Sequence, residues 1–198
     1  MSKLDPKNLP RPKSRQELPK HAQSVFKGEI FTVHQWPQKL FDNSVHTFEK
    51  LSRSDSVGIL AVTKDRKILI SHQEQPGMEP FISLLGGVID PGETPLDAAV
   101  RELHEEAGAE AEVWEHWFST QPITKIDWAI YMLIAKEVNL TADQHLDGGE
   151  RIKIEAVTLD EFLAVMQKDE FRDFEVAIKI FRMLQNNQRA ELEQLLFE

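Results

Sequence analysis

The 198-residue sequence contains no cysteine. This absence excludes a disulfide framework, a thiolate zinc site and a cysteine nucleophile, so any bound metal must be held by oxygen or histidine ligands. Long apolar runs are also absent: no stretch reaches the roughly 18 residues of a membrane-spanning helix, and the N-terminal segment lacks the apolar core of a secretory signal. The sequence therefore predicts a soluble, cytoplasmic protein.

Basic residues are in the minority, with 23 lysines and arginines against 33 acidic residues and a formal net charge of −10. A chain this acidic repels the phosphates of nucleic acid and of anionic lipid. Nucleic-acid and membrane partners are therefore not expected. Hydrophobic residues make up 41% of the chain, which is enough for one buried core and predicts a single domain.

Residues 1–24 contain few apolar side chains but four prolines and six lysines or arginines. Such a composition is typical of a flexible segment. We expect a flexible, basic, proline-rich arm here, with a solvated tail favoured over a segment that covers an anionic ligand or a partner subunit. Residues 25–198 then form the single folded domain.

The rest of the chain predicts an α/β fold in which strands precede and follow one central helix. Segments rich in β-branched and aromatic residues, separated by turn-forming residues such as Pro37, indicate antiparallel strands. The predicted strands cover residues 25–36, 44–51, 57–62, 68–72, 111–118, 128–138 and 151–157. The predicted C-terminal helices cover residues 159–167 and most of 174–196.

The central helix is predicted from the residues at its two ends. It follows a glycine-bearing loop at 86–92, with Thr94 as the N-cap and Asp97 as its capping-box partner. Pro95 occupies the first helical position, where its missing N–H group has no effect. Gly108 supplies the C-terminal stop.

This helix presents two different surfaces. An apolar stripe is formed by Leu96, Ala99, Val100, Leu103 and Ala107. Glu102, Glu105 and Glu106 gather on another face. Most acidic clusters on helices are solvated faces, and that is the alternative interpretation of this one.

Three features favour a metal site over a solvated face. Glu102 and Glu106 are i,i+4 neighbours of like charge, which repel each other without a compensating cation. The acids lie near the C-terminal end of the helix, where the backbone dipole is already negative. The preceding glycines let the backbone approach a metal or a phosphate closely. Together these features predict an oxygen-ligand site for Mg²⁺ or Mn²⁺.

The glycine loop and the helix match a family pattern at fixed spacing over 23 residues. The order is Gly87, five residues, Glu93, seven residues, and then Arg101-Glu102-Leu103-His104-Glu105-Glu106-Ala107-Gly108-Ala109. This pattern resembles the Nudix box at every invariant position. The resemblance implies a Nudix α/β/α sandwich with a mixed sheet, an N-terminal antiparallel strand pair and C-terminal helices. It also implies hydrolysis of a nucleoside diphosphate linked to another group.

The resemblance assigns a role to each matching residue. Glu102 and Glu106 correspond to the principal carboxylate ligands of the divalent metals, and Gly86 to a backbone-carbonyl ligand. Glu105 corresponds to a catalytic residue that acts as a further ligand or through a water molecule. Glu93 and Arg101 correspond to a supporting salt bridge.

Outside the box, the layout is similar to the ADP-ribose and nucleotide-sugar pyrophosphatase branch of the family. In that branch a glutamate on the loop before the last strand orients the nucleophilic water, and Glu150 occupies the matching place. Asp147 is the alternative candidate, and an ordinary surface acid is the other interpretation of Glu150. The resemblance also implies that Glu49 faces the ligand and that a homodimer forms by exchange of N-terminal strands within 25–51.

The branch often has arginine where this sequence has Phe48 and Gln75. Neither residue replaces the charge with which arginine binds phosphate. The predicted reaction is Mg²⁺-dependent cleavage of a nucleoside diphosphate sugar of the ADP-ribose type to a nucleoside monophosphate and a sugar phosphate. The alternatives are hydrolysis of another diphosphate, such as a nucleoside triphosphate or dinucleoside polyphosphate, and a nucleotide-sensing module without turnover.

Overall fold

The computed structural model describes residues 4–146 and 148–198. These residues form twelve β-strands, four α-helices and a short 3-10 helix at Pro6–Asn8. The strands are β1 (Gln23–Lys27), β2 (Thr32–Lys39), β3 (Val45–Ser52), β4 (Ser56–Thr63), β5 (Ile68–Glu74), β6 (Phe81–Ser83), β7 (Leu85–Val88), β8 (Ala109–Glu110), β9 (Val113–Thr120), β10 (Ile126–Asp127), β11 (Ile130–Leu140) and β12 (Arg151–Val157). The helices are α1 (Pro95–Ala107), α2 (Leu159–Val165), α3 (Phe174–Gln185) and α4 (Arg189–Phe197).

The strands form two sheets. The larger sheet runs in the order β12-β5-β4-β11-β8, with β6 paired to β5, β7 to β4 and β9 to β11. Because β4 and β11 are parallel whereas β9 and β11 are antiparallel, this sheet is mixed. The smaller sheet runs β1-β2-β3-β10 and contains the predicted N-terminal antiparallel strands.

Helices cover both faces of the larger sheet. Successive side chains of β4 point alternately toward the two helical layers. Val57, Ile59 and Ala61 pack with α1 on one face. Leu60 and Val62 pack with the C-terminal helices on the other face. All five side chains are at most 3% exposed. The predicted α/β/α sandwich is therefore confirmed, with α1 on one side of the sheet and α2, α3 and α4 on the other.

Two predicted features of the N-terminal strands were wrong. Residues 25–36 form two strands rather than one, because the N–H group of Gly28 donates to the carbonyl of Phe31 at 2.8 Å and closes a turn. Pro37 does not end a strand but lies inside β2. Since β1 pairs with residues 32–35, no strand within the described residues lies beside Pro37 on that side of β2 and requires a hydrogen bond from it.

The C-terminal helical region is divided where the sequence predicted one mostly helical stretch. Asn187, between α3 and α4, has a φ of 57°, and a right-handed helix cannot continue through this left-handed conformation. Across the described part of the chain, no helix combines the length and the hydropathy needed to cross a membrane. The cytoplasmic location stays a prediction.

The described part of the N-terminal arm lies against the folded domain. Arg11 forms ion pairs with Asp55 at 2.7 Å and with Asp127 at 3.0 Å. Lys50 of β3 is 1% exposed, and its Nζ donates to Ser14 Oγ at 2.7 Å. The arm's flexibility and its boundary at residue 24 stay predictions.

Candidate active site

Helix α1 begins and ends as its local sequence predicts. The hydroxyl of Thr94 accepts from the N–H of Asp97 at 3.2 Å, and the Asp97 carboxylate accepts from the N–H of Thr94 at 3.1 Å. Pro95 is the first helical residue, and Gly108 ends the helix with a left-handed φ of 58°. These caps fix where α1 starts and therefore which residues face the sheet.

The two surfaces of α1 differ in part from the prediction. Ala99, Leu103 and Ala107 are buried against the sheet, and Ala98 joins them. Val100 does not belong to the stripe, because its side chain is 48% exposed. The buried face is therefore shifted from the predicted stripe, away from Val100 and toward Ala98 and Glu106.

Glu106 is buried although it belongs to the acidic face, with only 4% of the residue exposed. Its carboxylate accepts from the N–H group of Gly86 at 2.8 Å. Burial, helped by the nearby carboxylates of Glu102 and Glu150, raises the pKa of Glu106 to about 8. Burial also raises the pKa of Glu102. Both carboxylates are therefore stabilised by added positive charge.

Arg101 connects the glycine loop to the acidic face of α1. Its guanidinium donates twice to Glu93, at 2.9 and 3.0 Å, and once to the carbonyl of Val88 at 2.9 Å. The same group donates to Glu102 at 2.8 Å and to Glu105 at 3.0 Å. The hydrogen bonds from Arg101 lower the pKa of Glu93, which stays ionised. The ion pair thus holds the loop on the helix.

Two consecutive glycines bring the loop close to α1 and β4. Gly86 has a φ of 140°, and a Cβ atom there would lie 2.9 Å from Gly58 Cα of β4. At Gly87, a Cβ atom would lie 2.5 Å from Cδ and 2.8 Å from Oε2 of Glu102. Larger residues at either position would displace the backbone or the Glu102 carboxylate.

The predicted residues meet in a cleft of about 260 Å³ between the loop, α1 and the segment before β12. Its lining consists of Gly86, Gly87, Val88, Asp90, Arg101, Glu102, Glu105, Glu106, His145, Leu146 and Glu150. Glu150 thus lies with the three glutamates of α1, whereas Glu93 lies just outside the cleft and supports it through Arg101. Asp147 lies outside the described residues.

Glu49 is not brought to this cleft. It lies on β3 in the smaller sheet, is exposed, and accepts from Gln35 Nε2 at 2.8 Å. Its role toward a ligand stays a prediction.

The sequence interpretation missed two residues next to the predicted site: His145, which lines the cleft, and Gln144, whose amide binds the carbonyl of Glu106. The ring of His145 lines the cleft and stacks on His104 with 5.9 Å between centroids. Both residues contact α1 from a distant part of the chain. Their only signal in the sequence is their position just before the Glu150 loop.

The donor chemistry of the cleft fits a hard divalent cation. Carboxylate and carbonyl oxygens are the ligands that Mg²⁺ and Mn²⁺ prefer. Within residues 4–146 and 148–198, no three acidic or imidazole side chains form a ready-made metal cluster. Arg101 binds one oxygen each of Glu102 and Glu105, so a metal ion would either compete with the guanidinium for that oxygen or bind the second oxygen of each carboxylate.

Known proteins are similar to the part of the chain that forms this cleft. The family model described as the NUDIX domain matches residues 52–178, which is more than half of the chain. The ADP-ribose pyrophosphatase of Bacillus subtilis (strain 168) is 24% identical over 180 residues, covering 85% of this chain and 92% of that protein. The methanol dehydrogenase activator of Bacillus methanolicus is 26% identical over 163 residues, covering 80% of this chain and 87% of that protein.

A solved structure has the same fold. The crystal structure of an ADP compounds hydrolase superposes with a TM-score of 0.70 at 18% identity, covering 90% of this chain and 98% of that chain. The region matched by the family model includes the glycine loop, α1 and Glu150. The chain therefore belongs to the Nudix family and is a Nudix pyrophosphohydrolase related to the ADP-ribose pyrophosphatases.

Proposed function

We propose that this protein hydrolyses the diphosphate of a nucleoside diphosphate sugar of the ADP-ribose type, with a divalent metal as cofactor. The products are a nucleoside monophosphate and a sugar phosphate. The relationship to a protein named ADP-ribose pyrophosphatase supports this substrate class. The observation that carries the proposal is the cleft in which Glu102, Glu105, Glu106 and Glu150 surround about 260 Å³.

Glu102, Glu105, Glu106 and the carbonyl oxygen of Gly86 would hold Mg²⁺ or Mn²⁺. When bound, such ions supply charge neutralisation of the diphosphate and activation of water. The burial of Glu106 supports this role, because a carboxylate whose pKa is raised to about 8 gains from a nearby cation.

The protein's own groups position the reactants in this proposal. Arg101 and Glu93 keep the glycine loop against α1, so that the Gly86 carbonyl and the glutamates keep a fixed relation. Glu150 lies in the cleft near Glu102 and Glu106, and we assign it to orient the nucleophilic water and accept its proton. Asp147 is the alternative for this role, and Glu150→Gln compared with Asp147→Asn separates the two.

We further propose that the protein forms a homodimer through its N-terminal sheet, which would place the partner's strands near the substrate. Large apolar side chains of this region are unusually exposed. They are Val25 (51%), Phe26 (61%), Ile30 (63%), Phe41 (112%) and Val45 (63%). Burial of such a patch against a second copy would remove it from water. Glu49 lies on the same sheet, and in a dimer it would contact the ligand.

A substrate panel tests the proposed function. Purified protein is incubated in Mg²⁺ with ADP-ribose, other nucleotide sugars, dinucleotides and nucleoside triphosphates, and the products are separated by chromatography. Glu106→Gln removes the buried carboxylate, and Glu112→Gln is the matched control, since Glu112 pairs with Lys64 on the surface. AMP release from ADP-ribose that is lost with EDTA and in Glu106→Gln, but kept in Glu112→Gln, supports the proposal.

Hydrolysis of another diphosphate is the second candidate function. It is favoured by Phe48 and Gln75, which cannot provide the charge-assisted, bidentate phosphate contacts of arginine. Turnover of a nucleoside triphosphate or dinucleotide without turnover of ADP-ribose would support it. Tight nucleotide binding in Mg²⁺ without turnover would contradict both candidates and indicate a sensing module.

A further inference from the structure

The C-terminal end of α1 is bound by the segment that leads into the Glu150 loop. The N–H groups of Thr141 and Ala142 donate to the carbonyl of Gly108 at 2.7 and 2.9 Å. The N–H group of His145 donates to the carbonyl of Glu105 at 2.8 Å. Because the last carbonyls of a helix have no partner within it, residues 141–145 act as the C-terminal cap of α1.

Gln144 connects this cap to β12, which follows the Glu150 loop. Its Nε2 donates to the carbonyl of Glu106 on α1 and to the carbonyl of Ile152 on β12, the latter at 3.2 Å. One side chain therefore links the helix to the strand that follows Glu150. Seven residues of the sequence, 145–151, separate Gln144 from Ile152.

The close approach of the two segments depends on Gly108. A Cβ atom at this position would lie 2.7 Å from the carbonyl carbon of Ala142. The rings of His104 and His145 stack beside it with 5.9 Å between centroids. Residues 141–145 therefore contact α1 all the way from Gly108 to the cleft.

The Glu150 loop needs such an attachment for two physical reasons. Glu150 lies with Glu102 in the cleft, and like charges in a partly buried site repel each other. Gly148 and Gly149 precede Glu150 and offer the backbone many alternative conformations. Repulsion and flexibility both favour a loop that swings away from α1.

We infer that Gln144 is a positioning residue, whose amide holds the Glu150 loop at the C-terminal end of α1. Through this link the Glu150 carboxylate keeps its place opposite Glu102 and Glu106. The catalytic part of the inference rests on the proposed function, whereas the attachment itself does not. Gln144 contacts the carbonyls of α1 and β12 and acts on the reaction only through Glu150.

Gln144→Met keeps the length of the side chain and removes its donor group. The expected result is a kcat about 10- to 100-fold lower, as for other residues that orient a catalytic group, with KM changed less than about threefold. Gln167→Met is the matched control, because the Gln167 amide also donates to a backbone carbonyl, that of Leu163 at 3.1 Å, on an exposed helix end away from the cleft. An unchanged kcat in Gln144→Met would overturn the inference.

A double-mutant comparison separates positioning from a general loss of structure. If Gln144 acts through Glu150, adding Gln144→Met to Glu150→Gln lowers kcat less than about threefold further. A fully additive loss would show that Gln144 acts independently of Glu150 and would contradict the inference.

Amide hydrogen exchange tests the attachment without any substrate. The N–H groups of Ala142 and His145 are protected by their bonds to α1, and their exchange should be about fivefold faster in Gln144→Met but unchanged in Gln167→Met. Equal exchange in wild type and Gln144→Met would refute the attachment. A wild-type protein that hydrolyses nothing but shows this difference would instead contradict the proposed function alone.

Discussion

Gly87→Ala separates the activity of the cleft from the stability of the fold. The added methyl group would lie 2.5 Å from Cδ of Glu102, whereas ordinary contact begins at 3.4 Å, so the carboxylate must move by about 0.9 Å. A misplacement of about 1 Å in a catalytic group typically costs about 100-fold in rate. We therefore expect kcat/KM to fall about 100-fold in Gly87→Ala.

The cost in stability should be small by comparison. The obstacle is the end of a flexible side chain, and Gly87 has no positive φ that an alanine would strain. Crowding of about 1–3 kcal/mol is offset in part by the about 0.4–1 kcal/mol gained when the unfolded chain loses the freedom of a glycine. Urea denaturation should show a free energy of unfolding within about 2 kcal/mol of wild type.

Two further glycines complete this test. Gly86→Ala meets backbone atoms of β4 and requires a φ of 140°, so we expect loss of folding rather than selective loss of activity. A Cβ atom at Gly28, in the turn between β1 and β2, would lie 3.1 Å from the Phe26 ring and 3.3 Å from the carbonyl oxygen of Phe31, so Gly28→Ala needs only small shifts and should keep both properties. Full activity in a folded Gly87→Ala protein would refute the assignment of Glu102 to the reaction.

Three other perturbations have expected outcomes. Arg101→Met removes the donors that hold Glu93 on the loop and should lower the free energy of unfolding in urea by about 2 kcal/mol. In EDTA, the free energy of unfolding should fall as the pH rises from about 4.5 to about 8, because Glu106 has a pKa of about 8 in the folded protein and therefore binds more protons there than in the unfolded chain; Glu106→Gln should make this slope shallower, and the part that remains comes from Glu102 and Asp173, whose pKa values burial also raises. Lys50→Met removes the hydrogen bond to Ser14 and should speed tryptic cleavage of the N-terminal arm, and an unchanged cleavage rate would show that this bond does not hold the arm.

The elements that the sequence predicted well depend on neighbouring residues. Helix α1 is an example, because Thr94, Pro95, Asp97 and Gly108 lie at its ends and act over three or four residues. The strand at 57–62 was predicted in the same way, from consecutive β-branched and apolar residues, and the structure has β4 at Ser56–Thr63. Residues that are close together in the sequence were sufficient to predict both elements.

The features that were missed depend on contacts between distant parts of the chain. Glu106 was placed on the acidic face as a metal ligand, but its burial and its bond from the N–H group of Gly86, 20 residues away, were not predicted. The bond from Gln144 to the carbonyl of Glu106 joins residues 38 apart. Pro37 was predicted to end a strand. That prediction was wrong because the sequence does not show that β1 pairs with residues 32–35 alone and leaves the same edge of β2 unpaired at Pro37. None of these contacts has a local pattern in the sequence.

The site was predicted through the spacing of a family pattern, and its members differ in how the structure places them. Glu102, Glu105, Glu106 and Glu150 line one cleft, although nothing local to Glu150 distinguishes it from another loop acid. Glu49 lies in the other sheet, away from this cleft. The difference arises because the first three share one helix, whereas in our proposal Glu49 would reach a ligand only through assembly with a second chain.

The central claim is that this cleft cleaves the diphosphate of an ADP-ribose-type substrate. Phosphorus NMR of ADP-ribose incubated with the protein in Mg²⁺ tests it most directly. If the cleft hydrolyses ADP-ribose, we expect two phosphomonoester signals to replace the two diphosphate signals in wild type and in Glu112→Gln. In Glu106→Gln the diphosphate signals should persist. Persistence of the diphosphate signals with wild-type protein, or their equal loss in Glu106→Gln, would contradict the account.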